Sequence, residues 1–258
     1  ATLGAVYSSC SPDFGINGVV DRFGQIQPKV LMACDGYIYA GKRIDLMPLV
    51  ADLVKRLPTL EAVLILPYLD STPNLHEIPN AVYFHEAVDA AKPVKKFSRV
   101  GFNDPLYILY SSGTTGAPKC IVHGVGGTLV QHIKEHRLHG NLANGDAMFY
   151  FTTCGWMMWN WLVSALAIKA KLVLFEGNPL HPGPERLWEL AEREKIAVFG
   201  TSAKYIDAVQ QSGYVPKEMV CLNDLRSLLS TGSPLSSDGF AFVYAKIKPD
   251  VQLSSISG

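Results

Sequence analysis

Residues 110–119 read Tyr110-Ser111-Ser112-Gly113-Thr114-Thr115-Gly116-Ala117-Pro118-Lys119, a composition that favours wrapping an oligophosphate. Glycines let backbone N–H groups approach a ligand closely. The serine and threonine hydroxyls add donors, and Lys119 adds a point charge suited to phosphate. The alternative is a surface loop, which such compositions often form. A Walker-type loop is excluded, because Gly-x-x-x-x-Gly-Lys-Ser/Thr does not fit this spacing.

Strand-like runs flank this loop. Leu106–Ser111 precedes it, and a second strand-like piece, Cys120–His123, follows it. In α/β proteins, ligands bind where strands end at the edge of a sheet. We therefore interpret residues 111–119 as a phosphate-binding loop at such an edge.

The composition is that of a globular protein with a large core. The chain has 258 residues, 48% of them hydrophobic, and a chain of this size buries about 70–75% of its unfolded surface on folding. The 23 basic side chains balance the 23 acidic ones, so the net charge gives no support for a nucleic-acid partner.

The cysteines indicate a reducing compartment. They are five, an odd number, they are widely scattered, and they include no Cys-x-x-Cys pair, which argues against a disulfide framework and a zinc knuckle. No signal-peptide pattern opens the chain. The longest near-apolar stretch, Met157–Ile168, is too short to span a bilayer. We therefore expect a cytoplasmic protein.

Both ends of the chain lie in apolar segments, residues 1–7 and 251–258. Domain borders are usually polar and loop-like. The sequence therefore predicts an excerpt of a longer protein, an incomplete domain over residues 1–258.

Strand-like runs alternate with amphipathic helix-like segments along most of the chain. This alternation predicts an α/β fold with parallel-rich sheets and helices packed on them. The predicted strands are Ala5–Ser8, Lys29–Cys34, Ala62–Leu66, Ala81–Phe84, Leu106–Ser111, Cys120–His123, Ala147–Thr152, Lys171–Phe175, Ile196–Phe199, Ser227–Ser230 and Val251–Ser255. The predicted helices are Ile16–Ile26, Leu46–Leu57, Gly127–Leu138, Trp161–Ile168, Glu185–Glu194, Ala203–Gln211 and Ser237–Ile247.

One long segment, Leu66–Asp104, is irregular and carries four prolines. It either links two lobes, with approximate bounds 1–100 and 101–258, or forms a surface excursion before the strand that leads into the phosphate loop.

Two further glycine segments are candidate ligand contacts. Gly232, Ser233 and Pro234 follow a short strand and precede a helix, so a planar ring could approach the backbone there. Alone, Gly-Ser-Pro is more often an ordinary turn with a helix start. Gly41-Lys42-Arg43 follows a possible Asp35-Gly36 turn; it could contact phosphate, although a solvated loop is the simpler interpretation.

Tryptophan and methionine are concentrated in residues 153–161, Thr-Cys-Gly-Trp-Met-Met-Trp-Asn-Trp. Core packing is the simpler interpretation, and we expect Trp161 to be buried. Because Gly155 and Trp156 follow the predicted strand Ala147–Thr152, this segment also lies where a sheet ends. Aromatic and soft apolar groups at that edge would suit a small acyl pocket.

A third pattern, His132-x-x-Glu135-His136, matches an inverted zinc-protease motif. Both imidazoles would share one helical face, as metal ligands require, and His139 extends it. Against a metal site, Gln131, Lys134 and Arg137 indicate a solvated face, and short motifs of this kind often occur by chance.

The loop at 110–119 closely resembles the signature of the AMP-forming acyl-CoA synthetases, the adenylate-forming family. Gly155-Trp156, Phe175-Glu176-Gly177 and Gly232-Ser233-Pro234 resemble further family segments, in the same order. Within the family, the similarity is greatest to the branch that activates acetoacetate. That similarity runs through essentially the whole chain, including Ser11–Gly15, Gly41–Arg43, Lys119–His123, Gln131–His136, Gly155–Trp161 and Ser230–Leu235.

The resemblance implies part of a large N-terminal domain whose full-length enzyme converts acetoacetate, ATP with Mg²⁺, and coenzyme A into acetoacetyl-CoA. It implies that the phosphates bind at Ser111, Ser112, Gly113, Thr114, Thr115, Gly116 and Lys119, adenine at Gly232, Ser233 and Pro234, and the acyl group at Trp156 and Met157. It places the ribose-binding aspartate, the metal-binding acid and the catalytic lysine beyond Gly258. We therefore expect the chain alone to be inactive and to bind no metal itself.

Two departures from the family pattern concern the substrates. Cys120 follows the signature lysine where glycine is common, and Met158 and Trp159 replace the small or polar residues that line the coenzyme A tunnel in acetyl-CoA synthetases. The route of the thiol is therefore open. Another short-chain acyl-CoA synthetase, a nucleotide-binding module without catalysis and, remotely, a zinc hydrolase remain alternatives.

Overall fold

The computed structural model describes residues 2–111 and 116–257. The chain divides into two compact units, Ala1–Gly127 and Thr128–Gly258. No helix in the described ranges is long and apolar enough to cross a membrane.

The described residues of the first unit form three sheets. Its strands are β1 (Tyr7–Ser8), β2 (Val30–Cys34), β3 (Gly36–Tyr39), β4 (Lys42–Asp45), β5 (Ala62–Leu66), β6 (Ala81–Tyr83), β7 (Pro105–Tyr110) and β8 (Cys120–Gly124). Its helices are α1 (Ile16–Ile26), α2 (Met47–Arg56) and α3 (Phe84–Ala90). Helix α4 (Val125–Lys134) begins directly after β8.

The core of the first unit lies on the parallel sheet β2-β5-β6. Alternate strand residues such as Leu31, Val63 and Ile65 are buried against Val50 and Leu53 of α2, as the two-residue period of a strand requires. A second sheet, in the order β1-β7-β8, has β1 parallel and β8 antiparallel to β7. The prediction of parallel-rich sheets is confirmed, with β7–β8 as an antiparallel exception.

The Asp35-Gly36 turn predicted from sequence is wrong, because Gly36 begins the antiparallel hairpin β3–β4. The chain reverses instead at Ala40 and Gly41, both at positive φ, as a two-residue hairpin turn requires. Asp35 is buried and accepts hydrogen bonds from the N–H groups of residues 68–70. Lys42 and Arg43 lie in a strand and not in a solvated loop.

The second unit is built on one parallel sheet in the order β10-β9-β11-β12-β13. The strands are β9 (Ala147–Tyr150), β10 (Lys171–Val173), β11 (Ile196–Ser202), β12 (Ser227–Thr231) and β13 (Gln252–Ser255). The helices are α5 (Met157–Ser164), α6 (Arg186–Arg193), α7 (Ala203–Ser212), α8 (Pro216–Met219) and α9 (Ser237–Phe242). Helix α4 continues as a π-helical turn, Glu135–His139, and α9 as another, Val243–Ile247.

Helices cover both faces of this sheet. Phe149, Phe199 and Leu228 pack with Trp188 of α6 and Ile206 of α7 on one side. The intervening strand residues Met148, Tyr150, Val198 and Leu229 pack on the other side with α5, through Met158, Trp161 and Leu162. This alternation explains why the strands read as continuous apolar runs.

Most of the predicted elements are present, and several bounds differ. Helix α5 begins at Met157, whereas the sequence predicted a helix over Trp161–Ile168; residues Ala165–Ile168 are a 3₁₀ turn. The hairpin β3–β4 and the helices α3 and α8 were not predicted. Each is short, so tertiary packing outweighs the local pattern.

Candidate functional site

The phosphate-loop segment connects β7 to β8, and Tyr110 pairs with Cys120 at its base. Ser111 N–H donates to the Lys119 carbonyl oxygen at 3.0 Å, and Lys119 N–H donates to Ser111 Oγ at 3.0 Å. Gly116 and Lys119 are exposed. Ser112, Gly113, Thr114 and Thr115, also predicted to contact phosphate, lie outside the described residues. The described base of the loop is therefore a closed hairpin neck.

Helix α1 contacts this neck on both sides of the loop. The Arg22 guanidinium lies 5.8 Å from the centre of the Tyr110 ring. Gln25 Nε2 donates to the Pro118 carbonyl oxygen at 2.8 Å, and the Cys120 thiol donates to Gln25 Oε1 at 3.6 Å. Burial raises the pKa of Tyr110 to about 12, so its hydroxyl stays protonated beside Ser8. Positions on either side of the loop are thus held by one helix.

Sequence reasoning missed Arg22 and Gln25. Their contacts join residues about 90 positions apart in the chain, and nothing in the local pattern of α1 marks them. The one available signal was Cys120 itself, a departure from the family pattern that the structure connects to Gln25.

The adenine-candidate segment forms the turn between β12 and α9. Gly232 has φ +88°, a conformation that glycine adopts without strain. Residues 232–234 are exposed, whereas β12 before them is buried throughout. Ser236 Oγ accepts a hydrogen bond from Gly239 N–H and caps α9. The turn therefore presents open backbone at the carboxyl end of a central strand.

The acyl-candidate residues lie at the start of α5, after β9. Trp156 is 49% exposed and Met157 is 36% exposed, while Trp161 is buried as predicted. A Cβ built on Gly232 would lie 3.7 Å from Cη2 of Trp156. Because β9 and β12 are parallel members of one sheet, their carboxyl ends meet at one edge. The structure thus brings together Trp156 and Gly232, which are 76 positions apart in sequence.

The His132-x-x-Glu135-His136 motif is largely buried, so the solvated face predicted for this helix is wrong for both imidazoles. His132 is 7% exposed and His136 is fully buried. His132 Nδ1 lies 2.9 Å from Ser164 Oγ, and His136 Nε2 lies 2.9 Å from both the Ser164 hydroxyl and the Trp161 carbonyl oxygen. Glu135 Oε2 accepts a hydrogen bond from the Trp161 indole at 2.8 Å.

These contacts make the motif a poor metal site. Across residues 2–111 and 116–257, no three or more His, Cys, Asp or Glu side chains are grouped to hold a metal ion. Burial lowers the pKa of His136 to about 4, so the imidazole is neutral at physiological pH. Trp161 and Ser164 of α5 bond His132 Nδ1, His136 Nε2 and Glu135 Oε2, whereas His136 Nδ1 has no hydrogen-bond partner among the described residues.

Comparisons with known proteins give matches over nearly the whole chain. The family described as "AMP-binding enzyme" matches residues 1–255. The acetoacetyl-coenzyme A synthetase of Rhizobium meliloti (strain 1021) is 54% identical over 263 residues, which cover 100% of this chain and 40% of that protein. The malonamoyl-CoA synthetase vrtB of Penicillium aethiopicum is 37% identical over 279 residues, covering 100% of this chain and 39% of that protein.

A solved structure, acetoacetyl-CoA synthetase from Streptomyces lividans, superposes with a TM-score of 0.93 and 41% identity. The match covers 100% of this chain and 40% of that one. The chain therefore spans about 40% of the length of the relatives it matches.

Proposed function

The chain belongs to the family of AMP-binding enzymes, and on that premise we propose that it is the nucleotide-binding part of an ATP-dependent acetoacetate–CoA ligase. The full-length enzyme would convert acetoacetate and MgATP into acetoacetyl-AMP and pyrophosphate. It would then transfer the acyl group to the thiol of coenzyme A and release AMP. The observation that carries the proposal is the meeting of Trp156 with the Gly232 turn at one sheet edge.

The proposed roles follow from position and chemistry. Ser111 to Lys119, including Ser112, Gly113, Thr114, Thr115 and Gly116, would hold the β- and γ-phosphates. Lys119 is exposed and provides a cation at the closed neck of the loop. Gly232, Ser233 and Pro234 would flank adenine, because their backbone is open and follows a buried strand. Trp156 and Met157 would bound the acyl group beside it.

Adenylation needs little covalent help from protein side chains. A carboxylate oxygen attacks the α-phosphorus in line, the bond to pyrophosphate breaks, and negative charge moves onto the leaving group. Positioning of the two reactants and stabilisation of that charge therefore supply most of the rate enhancement. Lys119 would contribute charge stabilisation, while the edge shared by Trp156 and Gly232 would place the carboxylate next to the nucleotide.

A second short acid is a candidate on one observation, the similarity to a malonamoyl-CoA synthetase. Malonamate and acetoacetate are both short acids with a carbonyl group at carbon 3, and they differ by an amino group in place of a methyl group. A hydrophobic pocket discriminates weakly between groups of such similar size. The 54% identity to an acetoacetyl-coenzyme A synthetase favours acetoacetate.

The proposed partners are therefore small molecules: acetoacetate, ATP with Mg²⁺, and coenzyme A. The balanced charge of the chain gives no basis for nucleic-acid binding. The odd number and wide scatter of its five cysteines suit a reducing compartment, and we place the protein in the cytoplasm.

The test is a substrate panel with the purified full-length protein. Pyrophosphate release would be measured with acetoacetate, malonamate, acetate, butyrate and hexanoate, and the acyl-CoA products identified by mass spectrometry. We expect acetoacetate to give the highest kcat/KM, with AMP and not ADP as the nucleotide product. Acid-dependent formation of ADP, or a preference for acetate over acetoacetate, would contradict the proposal.

A further inference from the structure

The buried histidine motif is not used by the proposed chemistry, yet it connects two elements of the second unit. His132, Glu135 and His136 lie on α4 and the π-helical turn after it. Their partners, Trp161 and Ser164, both lie on α5. These hydrogen bonds of the histidine cluster join the helix that follows β8 to the helix that begins at Met157.

The hydrogen-bond donors in the cluster can be assigned from its acceptors. The Trp161 carbonyl oxygen can only accept, and it lies 2.9 Å from His136 Nε2, so that nitrogen carries the proton. Ser164 Oγ donates to the same carbonyl at 2.6 Å. The Ser164 hydroxyl hydrogen is then used, and His132 Nδ1 must donate to Ser164 Oγ.

This arrangement uses the Trp161 carbonyl oxygen, which in a regular α-helix would accept a hydrogen bond from the Ala165 N–H. The Ala165 N–H is directed to the Leu162 carbonyl, because the chain tightens into a 3₁₀ turn after α5. The Trp161 carbonyl oxygen is therefore available to His136 and Ser164. Because the hydrogen bonds from His132, Glu135 and His136 all attach to one side of α5, they oppose rotation of α5 about its own axis.

Rotation of α5 would move the residues at its start. Met157 is the first residue of the helix, and Trp156 precedes it, with the Trp159 N–H bonded to the Trp156 carbonyl at 3.1 Å. Trp156 is half-exposed and lies beside Gly232, so its direction is not fixed by burial in a core. The position of the Trp156 ring thus depends on how α5 is held.

We propose that the histidine cluster is a positioning device for substrate selection: His132, Glu135, His136 and Ser164 fix the rotation of α5 and so place Trp156 and Met157. This inference rests on the proposed function for its substrate consequence, while the placement of Trp156 is a property of the structure alone. These four residues are positioning residues and contact no substrate themselves.

The direct test measures the surroundings of Trp156 in the full-length protein. Fluorotryptophan is incorporated, and the ¹⁹F resonance of Trp156 is identified by its absence in Trp156→Phe. Ser164→Ala removes the hydroxyl on which both imidazoles converge. We expect it to shift the Trp156 resonance while that of Trp188, on the opposite face of the sheet, stays in place.

Ser212→Ala is the matched control. Ser212 is also the last residue of a helix, and its hydroxyl donates to the carbonyl three residues earlier, at 2.6 Å from Val209. It makes the same type of bond as Ser164 within its helix, but its hydroxyl accepts from the Tyr214 N–H instead of contacting histidines. This variant should leave the Trp156 resonance unchanged.

The substrate consequence is measured as a ratio. Ser164→Ala should change the ratio of kcat/KM for acetoacetate to that for hexanoate by about fivefold or more, the scale of one misfitted methylene. The KM for ATP should change less than this ratio, because the phosphate loop belongs to the other unit and only the adenine turn at Gly232 lies beside Trp156. Ser164→Thr keeps the hydroxyl and should restore the ratio.

A second pair of variants covers the case in which Ser164→Ala does not fold. Glu135→Ala removes the acceptor of the Trp161 indole on the half-buried side of the cluster and should shift the Trp156 resonance. Glu135→Gln keeps an acceptor there and should not.

An unchanged Trp156 resonance in both Ser164→Ala and Glu135→Ala would overturn the inference, even if the melting temperature fell, because the cluster would then only pack the core. An unchanged acid ratio alongside a shifted resonance would overturn the selective role. If the wild type shows no acid-dependent pyrophosphate release, the proposed function fails, and the ¹⁹F result still decides the positioning claim.

Discussion

The phosphate loop and the histidine motif are both short polar sequences that match catalytic patterns, but they differ in how far their side chains are buried. Lys119, at the end of the loop, is exposed, and it takes part in no ion pair found among the described residues. His136 is fully buried, and its Nε2 is bonded to the Trp161 carbonyl. A binding motif leaves its polar groups open to a ligand, whereas this structural motif bonds most of them within the fold; His136 Nδ1 is buried and has no hydrogen-bond partner among the described residues.

The two motifs also differ in charge, since Lys119 is a cationic side chain and the His136 imidazole is neutral. Lys119 has an exposed ammonium-bearing side chain that can reach an oligophosphate. Burial keeps His136 neutral by lowering its pKa to about 4. Whether a sequence that matches a motif can bind a ligand therefore depends on its burial, and the motif itself does not specify burial.

The largest effect expected from this contrast is that of Lys119→Ala in the full-length protein. Loss of one charge-stabilising group should raise the barrier to adenylation by about 2–4 kcal/mol, or about 30- to 1000-fold in kcat/KM for ATP. Lys134→Ala, an exposed lysine of the histidine-motif helix, is the control and should change little. Equal rates in both variants would remove Lys119 from the phosphate site.

The acyl segment provides a second test, because Met157 is partly exposed while its neighbour Met158 is buried. Met157→Gly in the full-length protein should improve the use of hexanoate relative to acetoacetate by about 1–3 kcal/mol per methylene accommodated. Met219→Gly, in an exposed helix end, controls for the helix cost of glycine. If the ratio of kcat/KM values does not move, Met157 does not bound the pocket.

The burial of His136 predicts a pH dependence of stability. Its pKa in the folded protein, about 4, lies below its unfolded value near 6.5, so the unfolded state binds more protons between these values. The contribution is complete above about pH 6.5 and is lost as the pH falls toward 4. We expect it to be on the order of 2 kcal/mol.

Urea unfolding followed by tryptophan fluorescence measures this dependence, since all four tryptophans of the chain lie between Trp156 and Trp188 in the second unit. His136→Gln should flatten the decline in stability between pH 6.5 and 4. His139→Gln, at an exposed position of the same turn, should keep it. Parallel pH profiles for His136→Gln and the wild type would show that His136 does not carry the effect.

The smallest expected effect concerns the bracing of the loop. Gln25→Ala removes one hydrogen bond to the Pro118 carbonyl and the acceptor of the Cys120 thiol, at a cost of about 1 kcal/mol. The KM for ATP should rise by about fivefold while kcat at saturating ATP stays near the wild-type value. Gln211→Ala, at an exposed position of α7, should leave both constants unchanged. A Gln25→Ala variant with the same constants as Gln211→Ala would show that the contacts of Gln25 do not support ATP binding.

The sequence predicted the α/β class and most of the strands. It succeeded where one local pattern determines the outcome, as in the apolar runs of β9 and β11 and the amphipathic repeat of α1. It failed for the hairpin β3–β4, whose reversal at Ala40 and Gly41 depends on backbone conformation rather than on side-chain pattern. It also placed His132 and His136 on a solvated face, because exposed Lys134 and Arg137 occupy the same turns.

The candidate site shows the same division. The glycine and hydroxyl residues of the loop and the Gly232 turn are recognisable in the sequence, because their chemistry is local. The approach of Trp156 to Gly232 and the bonds of Gln25 to the loop neck are long-range contacts, which a single sequence does not contain. The supporting residues around a site are therefore the part that needs a structure.

Oxygen transfer from acetoacetate tests the central claim most directly. The full-length protein is supplied with acetoacetate labelled with ¹⁸O in its carboxylate, MgATP and coenzyme A, and the products are analysed by mass spectrometry. If a carboxylate oxygen attacks the α-phosphorus and the thiol then displaces AMP from the acyl carbon, one ¹⁸O atom appears in AMP and none in pyrophosphate. Label in inorganic phosphate with ADP as the nucleotide product, or no labelled nucleotide at all, would contradict the account.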